Sequence, residues 1–394
     1  MGDRNVKPGT WAASRRMRWA ALPAVLALTA AAAPPPVPSP APPAPQPAAR
    51  YDTAPILAEL DKECADGTFS GVVVVRAHGR TLIDHSCGMA DQINALPNTH
   101  ATRFKIYSTS KFMTALTVMR LVEQHRMALD APIKTYIPDA PATWDAVTVR
   151  MLLNHISGIP DLTGGLVEHF TQDHPHAMRA LLSALSDKDR ALATPAGQTF
   201  HYNNFGFELL ADAAAHATGT PFATLVADIV FKPAGMATAS IEAPNILMGH
   251  PLAVNEPGLA YGYNGAPGKL EQATNYAFIQ LGAGAVRASV DDFVALDAAL
   301  SAGKIISAAS QAEMTRALLP DERPDSGRRF GLGIIVGEKD GVAMEGHTGG
   351  TNGYISDFER YRGDDAMMIA LTNRGFVKTR WLRDAVATML KGAR

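Results

Sequence analysis

The chain has 394 residues, with 36 Lys+Arg against 38 Asp+Glu, 47% apolar residues and two cysteines. So even a charge balance excludes a protein built chiefly to neutralise nucleic-acid phosphates or coat an anionic membrane, and two cysteines cannot build a thiolate zinc site or a disulfide-dense scaffold. What is left is a globular chain long enough to bury a sizeable core and to form two lobes.

Arg4, Lys7, Arg15, Arg16 and Arg18 precede an apolar run from Trp19 to Ala33 that ends in small alanines. The pattern reads as a signal peptide over residues 1–33, and its run of about fifteen residues is short for a membrane span. Ser14-Arg15-Arg16 hints at twin-arginine export, but arginine pairs are common and the export route stays open. Pro34 to Pro47 is nearly all proline, alanine and serine, an extended tether over 34–51. The expected location is the periplasm or the medium, without stable membrane insertion.

From Asp52 the chain reads as globular. Pro55 in a first turn, with Ile56, Leu57, Leu60 and Cys64 on one face, predicts a helix ended by Gly67. Gly71 to Arg76 and Thr81 to Cys87 flank a His78-Gly79-Arg80 turn and predict a hairpin, which brings Cys87 opposite about Ser70 and near Cys64. A Cys64–Cys87 disulfide and two buried thiols are both open at this point. Phe330 to Val336, Tyr354 to Tyr361 and Ala366 to Thr372 predict three more strands, and Thr379 to Leu390 a helix. The expectation is an α+β fold: a five-stranded antiparallel sheet flanked by terminal helices, assembled from about 52–90 and 326–394. A large, mainly helical lobe from about 91–325 would face it across a cleft.

Three motifs fall where they would line that cleft. Ser108-Thr109-Ser110-Lys111 opens an amphipathic helix through Phe112, Leu116, Met119 and Val122. A spacing of three stacks Ser108 over Lys111 on one face, where a desolvated, neutral lysine can take the serine proton. Ser301-Ala302-Gly303-Lys304 has the same spacing but reads as a surface turn, so spacing alone is a weak signal. Tyr202-Asn203-Asn204 supplies a phenol whose pKa nearby cations would lower, and an Asn204 amide able to bind a substrate carbonyl and hold Lys111. Gly346-His347-Thr348-Gly349-Gly350 lets a substrate approach the backbone, with His347 and Thr348 placed to bind a carboxylate or assist proton transfer.

Other groupings carry less. His169, Asp173, His174 and His176 sit close together but lack metal-site spacing, and Pro175 interrupts them. His155 and Ser157 mimic a Ser-His pair, and no G-x-S-x-G occurs.

In order and spacing the three motifs resemble the S-x-x-K, Y-x-N and K/H-T-G elements of the β-lactamase and penicillin-binding-protein superfamily, in its class C-like branch. Phe104-Lys105-Ile106-Tyr107, Leu152 to Pro160, Gly282-Ala283-Gly284, Phe330 to Gly333 and Leu371 to Arg374 extend the resemblance over about residues 52–390. It implies Ser108 as nucleophile and Lys111 as base or proton shuttle. Tyr202 would exchange a proton with the leaving group and help activate the deacylating water, supported by Asn204. His347, Thr348 and Gly349 would contact substrate, and the backbone N–H groups of Ser108 and Gly350 would form the oxyanion hole. It implies no metal or organic cofactor and a small-molecule or peptide-like acyl substrate; a monomer is expected, though the sequence does not give the oligomeric state. Two departures bear on that substrate: His347 stands where dedicated β-lactamases usually carry lysine, and Asn203 is larger than the usual serine or alanine. With no class A-type Glu-rich loop either, the reading is an exported serine hydrolase for esters or amides. A D-Ala-D-Ala carboxypeptidase or β-lactamase is the nearest alternative, and a silent wall-binding protein the remote one.

Overall fold

The computed structural model describes residues 51–165, 177–242, 246–247, 250–251, 256–273, 281–318, 328–351 and 353–394. The leader, nearly all of the tether and the His169 to His176 grouping lie outside them.

Helix α1 (Ala54–Ala65) leads into β1 (Gly71–Ala77) and β2 (Arg80–Cys87). The hairpin turns on His78 and Gly79, both at positive φ, as a two-residue turn matched to strand twist requires. Gly71 pairs with Cys87, and Cys64 is joined to Cys87 in a disulfide with a Cα–Cα distance of 6.1 Å. His85 lies close enough to suggest a metal site, but sulfurs bonded to each other are not thiolate ligands.

The C-terminal part adds β3 (Arg328–Phe330), β4 (Ile335–Lys339), β5 (Val342–Thr351), β6 (Tyr354–Tyr361) and β7 (Ala366–Thr372), followed by α5 (Arg380–Gly392). All seven strands form one antiparallel sheet in the order β3-β4-β5-β6-β7-β1-β2. The expected count of five was too low for two reasons. Phe330 to Val336 is not one strand, because the chain reverses at Gly331 to Ile334, with Gly333 at φ 66° and the Gly331 amide bonded to the Ile334 carbonyl. Residues 342–351 do form a strand despite three glycines, which lower intrinsic strand preference. At Gly346 a Cβ would stand 1.8 Å from the Phe358 carbonyl oxygen, so the close pairing itself demands glycine there.

Both faces of the sheet are covered. Val73 and Val75 join Ile56 and Leu60 of α1 and Leu382, Val386 and Leu390 of α5 in one core. Val72 and Val74 face the other way, into the core containing α2 (Ser110–Glu123), α3 (Asn204–Thr218) and α4 (Val290–Ser301). Burial on both sides is why β1 is an unbroken valine run rather than an alternating one. Local signals set the helix starts: Asn203 caps α3 through Oδ1 to the Gly206 amide, and Ser289 with Asp292 forms a capping box on α4. Between the terminal parts, Val286–Ala288 pairs with Phe104–Lys105 on one side and Ser240–Ile241 on the other, anchoring the segment that delivers Ser108.

Candidate active site

Ser108 sits in a 3₁₀ turn, Tyr107–Thr109, that runs directly into α2. Tyr107 has φ 44°, a left-handed conformation costly for a bulky residue, so surrounding contacts must hold it. They do: the Tyr107 ring packs on Tyr354 at 5.9 Å. The Ser356 hydroxyl donates to the Ile106 carbonyl at 2.7 Å and lies 2.8 Å from Thr109 Oγ1. The Val286 amide donates to Ser110 Oγ at 3.1 Å. The turn is thus pinned to β6 and to the small sheet.

One helical step on, Lys111 is fully buried. Its Nζ donates to Asn204 Oδ1 at 2.7 Å, the Ala283 carbonyl at 3.1 Å and Ser108 Oγ at 3.2 Å. Burial pulls its pKa down to about 7, against the opposing pull of Glu208 and Asp161. Close to neutrality a large fraction of this lysine is an amine with a free lone pair.

Tyr202 lies beside them, hydrogen-bonded to Ser108, with Lys111 Nζ 4.8 Å from its ring centre. The cations do not depress its pKa as the sequence reading expects: burial pushes it up to about 12. The Asp161 carboxyl pushes the same way, and the hydrogen bond with Ser108 opposes both. Tyr202 therefore enters as a phenol. His155 stacks on its ring at 4.5 Å, and His155 Nδ1 accepts the Asn203 amide at 3.0 Å. Ser157 makes no dyad with that nitrogen; its Oγ accepts the Ile159 amide.

The third motif lies on β5. His347 is 1% exposed, and burial drives its pKa down to about 3, so it stays neutral. Its Nδ1 is 2.7 Å from the Thr348 carbonyl, which places the ring proton there and leaves Nε2 as a buried acceptor without a partner among the described residues. Beyond Gly346 the register with β4 ends, while pairing with β6 continues through Thr351. Residues 347–351 thus lie past the last β4 pair, where an extended substrate can align. Gly349 presses on the serine turn: a Cβ there would lie 2.1 Å from the Ile106 carbonyl oxygen and 2.9 Å from the Ser108 nitrogen. Gly350, the next residue, is exposed.

Ser108, Lys111, Tyr202, Asn204 and Gly349 are therefore brought together. Ser301 and Lys304 are not: Ser301 Oγ accepts Arg360 Nη2 at 3.0 Å, a structural contact. Sequence reasoning missed Glu208, the buried carboxyl that accepts the Ala283 amide at 2.8 Å and the Gly282 amide at 3.1 Å. Its signal was available: one acid among the apolar residues of Phe205 to Ala211, a helical turn after Asn204.

A buried amine within reach of a serine hydroxyl, with a phenol beside both, defines the arrangement of a serine hydrolase of the acyl-transfer type. The family model described as Beta-lactamase matches residues 57–390, and the chain belongs to that family. It is 26% identical over 319 residues to penicillin-binding protein 4* of Bacillus subtilis, covering 78% of this chain and 68% of that protein. Against esterase EstB of Burkholderia gladioli it is 29% identical over 183 residues, covering 42% of this chain and 45% of the esterase, so the match spans less than half of that enzyme. Among solved structures, the D-amino acid amidase of Ochrobactrum anthropi SV3 in complex with L-phenylalanine amide shares the fold. Its TM-score is 0.70 at 24% identity, over 86% of this chain and 97% of that one. No described helix is long and apolar enough to cross a membrane.

Proposed function

We propose that the protein is an exported serine hydrolase that opens an ester or amide bond through an acyl-enzyme on Ser108. The observation that carries this reading is the contact of Lys111 Nζ with Ser108 Oγ at 3.2 Å, made by a lysine that burial brings down to about 7. Neutral Lys111 takes the hydroxyl proton as Ser108 Oγ attacks the carbonyl carbon, and the backbone N–H groups of Ser108 and Gly350 receive the oxyanion. Collapse breaks the bond to the leaving group, which takes the Tyr202 proton, and the Lys111 ammonium reprotonates the phenolate. Water then attacks the acyl carbon, its proton passes back through the same pair, and Ser108 leaves as the alcohol.

The third motif narrows the substrate. With His347 neutral, the site lacks at that position the fixed cation that would grip a β-lactam or C-terminal carboxylate. Uncharged esters and amides are favoured, with His347 Nε2 and the Thr348 hydroxyl as polar contacts. Export is supported by the basic and apolar leader and by the Cys64–Cys87 bridge, which suits an oxidising compartment.

The deciding experiment is side-by-side turnover of a short-chain p-nitrophenyl ester, a chromogenic cephalosporin and an acyl-D-Ala-D-Ala peptide, with a fluorophosphonate mass label mapped to its residue. The ester should give the highest kcat/KM and the label should sit on Ser108. Preference for the cephalosporin or the peptide would replace the substrate assignment, and no label on Ser108 would overturn the mechanism.

A further inference from the structure

Glu208 belongs to none of the three motifs, yet it is a buried carboxyl on the wall behind Lys111. It is buried on α3, one turn beyond Asn204, which itself accepts from Lys111. Its Oε1 accepts the Ala283 amide at 2.8 Å and the Gly282 amide at 3.1 Å, and the Ala283 carbonyl accepts from Lys111 Nζ at 3.1 Å. The segment is gripped from a second side, where Thr114 Oγ1 donates to the Gly282 carbonyl at 2.6 Å. At Gly282 a Cβ would stand 2.1 Å from the Phe207 carbonyl oxygen, so the segment lies hard against α3.

We propose that Glu208 is a positioning residue for the acylation step: it sets the proton affinity of Lys111 through its charge and holds the Ala283 carbonyl that orients the amine. This rests on the reading of Lys111 as the base for Ser108. A carboxylate one peptide unit from an amine stabilises the ammonium form, while burial of both groups opposes charge on either. The structure carries both sides of that balance: burial pushes the Glu208 carboxyl up to about 7, and Lys111 pulls it back. The other groups acting on the amine are Asp161, whose Oδ2 accepts the Asn204 amide at 3.4 Å, and the neighbouring rings of His155, His347 and Tyr202. Both histidines are held neutral by burial, and Tyr202 is a phenol, so Glu208 and Asp161 are the carboxyls that bear on the lysine.

The test compares Glu208→Gln with wild type in the pH dependence of kcat/KM for a neutral ester. A parallel titration of Lys111 by NMR, on protein carrying ε-13C lysine, reads the amine directly. Removing the charge lets the amine lose its proton at lower pH. Both the acid limb and the Lys111 midpoint should move down by at least about one pH unit, the size an adjacent opposite charge commonly imposes. Thr114→Val loosens the same segment without changing charge; it should lower the rate and leave the midpoint in place. Should the glutamine variant not fold, Glu208→Asp draws the charge back from Ala283 and must move the midpoint the same way by less. An unmoved midpoint in a folded variant overturns the inference. Failure of wild-type protein to take a fluorophosphonate on Ser108 overturns instead the reading on which it rests.

Discussion

Lys111 Nζ lies nearer to Asn204 Oδ1, at 2.7 Å, than to Ser108 Oγ, at 3.2 Å. The amine is held by the start of α3 and by the Ala283 carbonyl rather than by its serine, so it can take the serine's proton without losing its own position. In the mechanism proposed above it would act as a base held in place by groups outside the reaction.

Ser108→Ala removes the attacking oxygen and nothing else that the turn depends on, since Tyr107, Thr109 and Ser110 make the anchoring contacts. Labelling by a fluorophosphonate should vanish while the unfolding midpoint stays at the wild-type value. A label on another residue would move the nucleophile elsewhere.

For Lys111 the direction with pH follows from its depressed pKa. Below about 7 the lysine is an ammonium and cannot act as base, so kcat/KM should fall as pH drops through that value. Lys111→Ala should cost about 10²–10⁴ in acylation rate, the range of positioned acid–base groups, as read by burst kinetics. The same shift has a stability consequence. The unfolded chain binds the proton up to the ordinary lysine value near 10.4, so folding with Lys111 is penalised fully below about 7 and less as pH rises to 10.4. Lys111→Met should be more stable than wild type at neutral pH, by a margin that shrinks toward pH 10 in paired urea titrations. A margin independent of pH would mean that the lysine is not desolvated.

Gly349→Ala tests the close approach of β5 to the serine turn. The added Cβ meets the Ile106 carbonyl and the Ser108 amide nitrogen at distances no Cβ tolerates, so the strand or the turn must shift. Acylation should fall by at least about 10²-fold, the loss expected for one displaced oxyanion donor. Near-wild-type turnover would separate this strand from the reacting centre.

The disulfide lies at the opposite side of the sheet, since β6, β7 and β1 stand between β5 and β2. Closing a loop with a sequence separation of 23, the bridge should contribute about 3 kcal/mol. Replacing Cys64 and Cys87 together by serine should lower denaturant stability by that order and leave kcat/KM for the ester unchanged well below the melting temperature.

Much of the site was legible because helical spacing is a local rule: three residues apart on a helix, Ser108 and Lys111 had to share a face. The valine run of β1, the His78-Gly79 turn and the Asn203 position before a helix carried their structure in the same way. The strand count was not legible, because glycines at 346, 349 and 350 are chosen by what approaches them from Phe358, Ile106 and Ile355, and such approaches leave no periodic mark.

By itself, then, the sequence determined the three motifs, their order and the local elements that carry them. Only the tertiary structure brought Ser108 and Lys111 together with Asn204 and Tyr202, made Tyr202 a phenol and Lys111 close to an amine, and put Glu208 behind them. Those properties arise from burial and from the Glu208 and Asp161 carboxyls, which reach Lys111 only when the chain has folded, so no stretch of sequence contains them.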